Sequence, residues 1–508
     1  MNESHTLGLA FLNAATFLLC GSFIAYVVIL VVPYVWHRPA ESGDAEDFQW
    51  HFFIPCLDEA LVIDATVRRL TATFPTAEVW CIDDASEDAT LAILDDLADE
   101  YPTVHVVART FPDARQGKGA ALNAAWEALS AWLPDEVDRT RIVVGVLDAD
   151  GELDANCPTV IAGPEFFGRP NVGAVQIRVR VATDRLAGAQ SAPRLRLFLV
   201  RLQDVEFSGV IAAMQLLRRH LGSVGMGGNG QFTRMSALDR IAQEYGSPWH
   251  GSLLEDFELG LHVLLTGSAT AYCDDTWVRQ EGLTSLRALV RQRSRWAQGS
   301  MQCLRYLMPI LACADIEVGA ALEISYFLFL PWIQLAGGAL YATTGIVLAW
   351  YALTAPGGVS GWLGTGAWGL IPLFVLFGLG PLTVWGPLYR RSVDRGISRR
   401  TAWLIGLANW PYSYVHHLAT WWAFIRVAQA RHDWKKTARA ARQVTALTHP
   451  ALRLVLPGRL SLAATTSLSS TTDLGTGLAA VGFLDLAQPQ SAAWRRHLRS
   501  TDAYTTAA

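Results

Sequence analysis

Two stretches of this chain run without a single charged residue for longer than a core helix of a water-soluble protein needs: Leu7 to Trp36, and Ile324 to Tyr389. Crossing a hydrocarbon core takes about 20 apolar residues, so both are long enough. The first begins Met-Asn-Glu-Ser-His, lacks a basic start and outruns a signal peptide's apolar core, so it reads as a retained anchor. The second is too long for one helix. Ala355-Pro-Gly-Gly-Val-Ser-Gly361 punctuates it where a turn is wanted, predicting two spans near 324–353 and 363–388.

Charge then orients these spans. The loop 390–400 carries five arginines, which the positive-inside rule puts in the cytosol, and counting back two spans puts the preceding globular region there too. The last apolar tract, Thr401 to Ile425, has a polar and aromatic middle at Trp410-Pro-Tyr-Ser-Tyr-Val-His-His417. A full crossing would send Arg426, Arg431, Lys435, Lys436 and Arg439 outside, so the sequence predicts a re-entrant or interfacial hairpin. The divisions expected are a membrane anchor over 1–43, a cytosolic domain over 44–285, amphipathic interfacial helices over 286–316, a transmembrane and re-entrant region over 317–430, and a cytosolic, partly disordered tail over 431–508. The chain is thus expected to be an integral protein of the cell membrane.

Between Asp44 and Arg305 charged and apolar residues mix as in a globular domain. The 508-residue chain has a net charge of −5 and no basic block in this domain, which excludes nucleic acid as a partner. Seven cysteines, an odd number scattered without Cys-x-x-Cys spacing, read as reduced, buried small residues.

Short apolar runs alternate with helix-period stretches through this domain. Strands at Phe48–Ile54, Glu78–Ile82, Val104–Ala108 and Arg141–Leu147 are each followed by a turn, and the first three by a helix, ending near Leu70 or spanning about 88–98 and 119–132. Val175–Val181 alternates like a strand with one solvated face. The fold class is α/β, a mostly parallel sheet with helices on both faces, inserted between transmembrane helices. Ligands of such sheets sit at the carboxyl ends of the strands. Three acidic clusters fall there: Asp58-Glu59, Asp83-Asp84 and Asp148-Ala-Asp150. Any one of these alone reads equally as a helix cap or turn; it is the repetition that points to a site. No Gly-x-Gly-x-x-Gly follows the first strand, and Gln116-Gly-Lys-Gly119 lacks the leading Gly and the Ser/Thr of a phosphate loop, so dinucleotide redox chemistry and ATP hydrolysis lose their support.

Asp148 and Asp150, flanking a small Ala149, can reach a hard divalent cation. Gly227-Gly-Asn-Gly-Gln-Phe-Thr-Arg234, Leu254-Glu-Asp-Phe-Glu-Leu-Gly260 and Gln292-Arg-Ser-Arg-Trp296 follow in order. Together they resemble the membrane-integrated family 2 glycosyltransferases, which include cellulose, chitin and hyaluronan synthases and, more distantly, ceramide glucosyltransferases. The resemblance covers about 49–305 and the flanking spans, and Trp434-Lys-Lys-Thr437 extends it.

What the resemblance implies is a GT-A-type domain in which Asp58, Glu59 and Asp83 line the nucleotide pocket, Lys118 lies near the donor, and Asp148 and Asp150 hold Mg2+ or Mn2+. Asp256 matches the general base. Gly228, Asn229 and Gly230 match the loop shaping the acceptor site, with Glu255 beside it, and Gln292, Arg295 and Trp296 match the Q-x-x-R-W motif next to diphosphate and acceptor. Leu254 stands where cellulose synthases carry Thr, which argues against cellulose as product.

Elementary chemistry asks for the same parts. An inverting transfer needs one base for the acceptor hydroxyl and positive charge for the leaving diphosphate. Gln292, Arg295 and Trp296 stand at i, i+3 and i+4, on one helix face; the arginine suits diphosphate and the indole can stack on a sugar. The plainer alternatives are an acid in a helix's first turn for Asp256 and a basic surface helix for the motif. His250 is read either as a loop histidine or as a group approaching the site. The leading expectation is sugar transfer from a nucleotide sugar, UDP-linked by first guess, to a lengthening β-linked polysaccharide exported through the spans, with an accessory export subunit among the partners. The second reading is non-processive transfer to a lipid. A third, of another class, is a membrane scaffold or transporter with a degenerate transferase domain, against which the retained carboxylates, Lys118 and Arg295 argue.

Overall fold

The computed structural model describes residues 3–183 and 194–431. Helix α1 (Glu3–Trp36) leads into an eight-stranded sheet: β1 (Gln49–Cys56), β2 (Glu78–Asp83), β3 (Val104–Ala108), β4 (Ile142–Val146), β5 (Glu152–Leu153), β6 (Val172–Val181), β7 (Gln231–Arg234) and β8 (Ala269–Gln280), in the order β3-β2-β1-β4-β7-β6-β8-β5. Helices α2 (Ile63–Thr73), α3 (Thr90–Glu100) and α4 (Lys118–Trp132) return the chain between the first strands, and a short α5 (Cys157–Ile161) precedes β6. β1, β2, β3 and β4 pair in parallel, as do β6 and β8, while β7 runs antiparallel to both its neighbours and β5 to β8. The expected α/β architecture, mostly parallel, is therefore the one observed.

Strand periodicity builds two cores from one sheet. Phe53, Ile82 and Val144 face one buried cluster, and their neighbours Phe52, Cys81 and Val143 face the other, because successive side chains point to opposite faces. The solvated face expected for Val175–Val181 is absent. Gln176 is buried, Arg178 pairs with Asp274, and Arg180 donates to Asp204 at 3.2 Å, so the charges that suggested water are satisfied inside. The six cysteines whose side chains are described are free thiols, five of them buried.

A long helix crosses beneath the domain as α6 (Arg194–Val205), a π-helical turn (Glu206–Ile211) and α7 (Ala212–Leu221). The short helix α8 (Met235–Tyr245) and then α9 (Glu255–Leu265) follow, and α10 (Leu286–Gln302) and α11 (Leu307–Ala312) carry the 286–316 region. The rest is apolar helix: α12 (Val318–Thr354), a short α13 (Gly358–Gly364), a helical run α14 (Ala367–Ser392) and α15 (Arg399–Ala428). Helices α12 and α14 are long and apolar enough to cross a membrane, and they bracket the expected turn. Phe329, Ile346, Leu353, Ile371 and Val375 lie exposed on them. The loop after α14 returns to the domain, with Arg201 3.9 Å from Asp394 and the Tyr389 hydroxyl 2.6 Å from Asp204.

The hairpin expected at 401–425 is not formed. α15 is one continuous helix of 30 residues with Pro411 inside it, about 45 Å long at 1.5 Å per residue. Ser413 and His416, from the polar middle that suggested a hairpin, turn inward with Asn409 to line a cavity. Trp434-Lys-Lys-Thr437 and the tail beyond 431 lie outside the described residues.

Candidate active site

The carboxyl ends of the parallel strands open into a cavity of about 810 Å3. Glu59 follows β1, Asp84 follows β2, Lys118 begins α4, and Asp148 and Asp150 follow β4; all five line it. Lys118 is the electrostatic hub, since its Nζ donates to Asp148 Oδ1 at 2.8 Å and to the Gly228 carbonyl at 3.1 Å. Burial works against its charge, but Asp148, Glu255 and Asp256 outweigh that and raise its pKa above the usual lysine value.

The loop before β7 is shaped by backbone geometry only glycine takes easily. Gly228 has φ 68°, and a Cβ there would stand 2.5 Å from Asp256 Oδ2. Asn229 ties this loop to the acidic pair: its Oδ1 accepts the Asp148 N–H at 3.2 Å and its Nδ2 donates to Gln280 at 2.9 Å. Gly228→Ala should therefore displace Asp256 while sparing the sheet, with transfer activity falling on the order of a hundredfold, the scale set by a 1 Å misplacement of a reacting group. A steady-state assay beside a thermal melt checks this.

Asp256 sits in the first turn of α9, where the Phe257 N–H donates to its Oδ1 at 2.6 Å. A helix N-terminus favours the anion. Burial and the adjacent Glu255 win over it and over Lys118, pushing the Asp256 pKa up to about 7. Burial likewise raises Glu255. A carboxylate poised near neutrality is what proton abstraction at physiological pH requires.

Gln292, Arg295 and Trp296 of α10 line the same cavity, as the helical spacing implied. Between them stands Arg293, a residue that the motif leaves without a role, whose Nε and Nη2 grip both oxygens of Glu206 at 2.9 and 2.8 Å. Its guanidinium lies 4.0 Å from the centre of the Trp296 ring, and Phe207 meets that ring edge-on at 6.0 Å. Tyr412 of α15 donates to Glu206 at 2.5 Å, and His416 stands 3.7 Å from it. One buried ion pair thus joins the π-helical turn, the Q-x-x-R-W helix and α15. The motif's outer letters were legible; Glu206, Tyr412 and His416 were not, lying more than 80 residues from it.

Not every expected residue reaches the cavity. Asp58 is exposed at φ 51° and organises the neighbouring loop, its carboxylate accepting the Glu87 N–H at 2.8 Å and its backbone N–H donating to Ser86. Asp83 is buried behind the wall, its Oδ1 without a hydrogen-bond partner among the described residues, and Asp84 occupies the lining instead, anchored by Arg109. Gly230, at φ 70°, packs on Val278 and Ile177 outside the lining. His250 packs against the rings of His262 and Tyr245 rather than reaching the cavity.

The donor set suits a hard cation bound together with a ligand. Asp148 and Asp150 both line the cavity, one partly exposed and the other buried, and carboxylate oxygens on alternate residues are what Mg2+ or Mn2+ takes. Among the described residues no group of three acids, histidines or cysteines gathers, so phosphate oxygens and water would complete the shell.

Parts of the chain are similar to known proteins. Residues 49–299 match the family described as "Glycosyltransferase like family 2". A protein named beta-monoglucosyldiacylglycerol synthase from Synechocystis sp. is 32% identical over 276 residues, 53% of this chain and 51% of that protein. One of the same name from Trichormus variabilis is 32% identical over 253 residues, 49% of this chain and 48% of that protein. The chain thus spans about half the length of the curated relatives it matches. Among solved structures, a mannosyltransferase from Pyrobaculum calidifontis in complex with GDP-Man and Mn2+ superposes with a TM-score of 0.47 at 17% identity, covering 78% of this chain and 96% of that one. The expected polysaccharide product is corrected by these relatives, whose name is that of a synthase making a single-glucose lipid. The same residues carried both the polysaccharide and the lipid readings, so the motifs did not decide the product. Residues 49–299, just under half of the chain, thus form a family 2 glycosyltransferase domain.

Proposed function

We propose that this protein is a membrane-embedded, inverting glycosyltransferase that moves one sugar from a nucleotide sugar, UDP-glucose first among donors, onto the free hydroxyl of a diacylglycerol-type lipid. The observation that carries this reading is the reach of the cavity. It starts at Lys118 and Asp148 and ends against Leu330 and Pro331 of α12 and Asn409 and His416 of α15, so the base and the apolar helices share one chamber. Phe257, next to the base, packs on Phe327 of α12 with ring centres 4.8 Å apart. Helices α12 and α14 would span the bilayer, with the arginine loop after α14 and the catalytic domain on its cytosolic side.

In the reaction, Asp256 takes the proton of the lipid hydroxyl as its oxygen attacks the anomeric carbon. The glycosidic bond forms, the bond to the diphosphate breaks, and the nucleoside diphosphate leaves with its electron pair. Lys118 and Arg295 face the charge that develops on it. A divalent cation held by Asp148 and Asp150 would supply further neutralisation of the diphosphate. Gly228 and Asn229 fix the base against the acidic pair, and Trp296 forms a wall against which the acceptor is oriented. Adjoining apolar helices keep bulk water from competing as acceptor.

Because the base must be ionised, kcat/KM should climb about tenfold per pH unit on the acid side and level off above about 7, the value to which Asp256 is raised. Asp256→Glu should move that limb, whereas a limb that stays put assigns it elsewhere. The reading itself is tested with membranes containing the full chain, a panel of nucleotide sugars, and Mg2+, Mn2+ or chelator. Label from UDP-glucose should enter the lipid fraction only with metal; label that stays out of lipid with every donor refutes the proposal.

A further inference from the structure

Helix α15 carries a stripe of polar side chains that the catalytic reading leaves unused. Asn409, Ser413, His416 and Thr420 all line the cavity. At 3.6 residues per turn they fall within roughly 60° of one another. The opposite side is apolar and exposed, with Trp403, Leu404, Leu418 and Trp422 between 55% and 62% accessible. A helix that shows apolar residues outward and amide, hydroxyl and imidazole groups into a cavity offers those polar groups to a ligand, because such groups are costly to bury without partners.

The chemistry of the stripe narrows the ligand. Ser413 donates its hydroxyl proton to the Trp410 carbonyl at 2.7 Å, and Thr420 has its one proton to share between the His416 carbonyl and Gln334 Oε1 of α12, each 2.8 Å away. Both oxygens therefore keep lone pairs that accept an O–H, while the Gln334 amide N–H and the His416 ring offer donors for carbonyl oxygen. The arginines at this end are engaged: Arg293 with Glu206, and Arg218 with Glu323 at 2.8 Å beneath the Phe327 ring. Neither is spare for a phosphate, and a phosphate brought to this end would meet the Glu206 carboxylate.

We infer that the stripe Asn409, Ser413, His416 and Thr420, with Gln334, is an acceptor subsite for an uncharged glyceride backbone carrying both a hydroxyl and ester carbonyls, and that it discriminates against lipid phosphates. This rests on the reading of the protein as a lipid transferase and adds the residues that choose the lipid. The subsite positions the acceptor and leaves the donor alone.

The test uses the full chain in lipid nanodiscs with UDP-glucose, titrating diacylglycerol and, separately, polyprenyl phosphate. Gln334→Leu and the double variant Ser413→Ala/Thr420→Val should each raise the KM for diacylglycerol on the order of tenfold, the scale of one or two lost hydrogen bonds. Affinity for UDP should stay as in the wild type, and the double variant Ser413→Ala/Thr420→Ser, which keeps a hydroxyl at 420, should recover most of the loss. An unchanged acceptor KM overturns the subsite while leaving the lipid transferase standing, and so does a parallel loss of UDP affinity and kcat, the mark of a merely structural role. A wild type that prefers polyprenyl phosphate overturns the chemistry assigned to the stripe. A wild type that glycosylates no lipid overturns both this inference and the function it rests on.

Discussion

Asp256→Asn should lower kcat for sugar transfer on the order of a thousandfold, within the range that a positioned general base contributes, while UDP affinity changes by no more than a few-fold. The side chains are nearly isosteric, so the Phe257 N–H can still donate to the Oδ1 position and the first turn of α9 keeps this hydrogen bond. What disappears is the carboxylate that both lines the cavity and is held near neutrality, its pKa raised to about 7, and with it the group proposed to take the acceptor hydroxyl's proton. Lys118 cannot substitute, because its neighbours hold it protonated. If the variant keeps within tenfold of wild-type kcat, Asp256 is a structural acid in a helix's first turn and another group takes the proton. Measuring kcat with UDP binding in parallel separates a lost base from a collapsed site.

Arg293→Met should destabilise the protein by about 3–5 kcal/mol, the usual result of leaving one buried charge without its partner. Glu206 and Arg293 have side chains only 9% and 3% exposed. In the variant Glu206 retains Tyr412 and the more distant His416, neither of which brings a fixed positive charge. The double variant Glu206→Leu/Arg293→Met removes both charges and should recover most of the stability, because a buried pair is roughly balanced by well-packed apolar groups. Activity should not recover with it. Trp296 loses the guanidinium 4.0 Å from its ring centre, and with it the contact that fixes the indole in the cavity wall. Denaturation midpoints beside acceptor KM values distinguish the two effects; a double variant that regains both contradicts the positioning role.

Asp256 is a residue the sequence makes readable, and the Glu206–Arg293 pair is one it does not. The alternation of strand and helix and the i, i+3, i+4 face of Gln292, Arg295 and Trp296 are visible because local periodicity and spacing decide them; Asp148-Ala-Asp150 stands out as an acidic cluster at a strand end, and Lys118 and Glu255-Asp256 come into view only through the resemblance to family 2 glycosyltransferases. Asp58 escapes such reasoning because a carboxylate just after a strand looks alike whether it turns into the cavity or, at φ 51°, caps the loop beside it. Asp83 and Asp84 exchange roles for a related reason: the strand's two-residue period puts neighbours on opposite sides, and which side is the cavity depends on where the sheet ends.

Glu206 and Arg293 are hidden because their meeting requires the interfacial helices and α15 to converge, and no local pattern encodes pairings 87 or 206 residues apart. The polarity of 409–420 is plain in the sequence, but its direction is not. The basic residues after 425 and the polar, aromatic middle 410–417 argue for a hairpin, whereas the continuous helix α15 turns Asn409, Ser413, His416 and Thr420 into the cavity. Residues between apolar tracts can be polar for a ligand's sake as well as for solvent's.

The central claim is that the cavity joining Asp256 to α12 and α15 hands one sugar to one lipid. Single-enzyme nanodiscs supplied with UDP-glucose, metal and diacylglycerol, with released UDP and lipid products quantified together by mass spectrometry, test it most directly. The account predicts one UDP per lipid converted and a product bearing one hexose in the β configuration. A ladder of longer glycans, or UDP release with the lipid left unmodified, would contradict it.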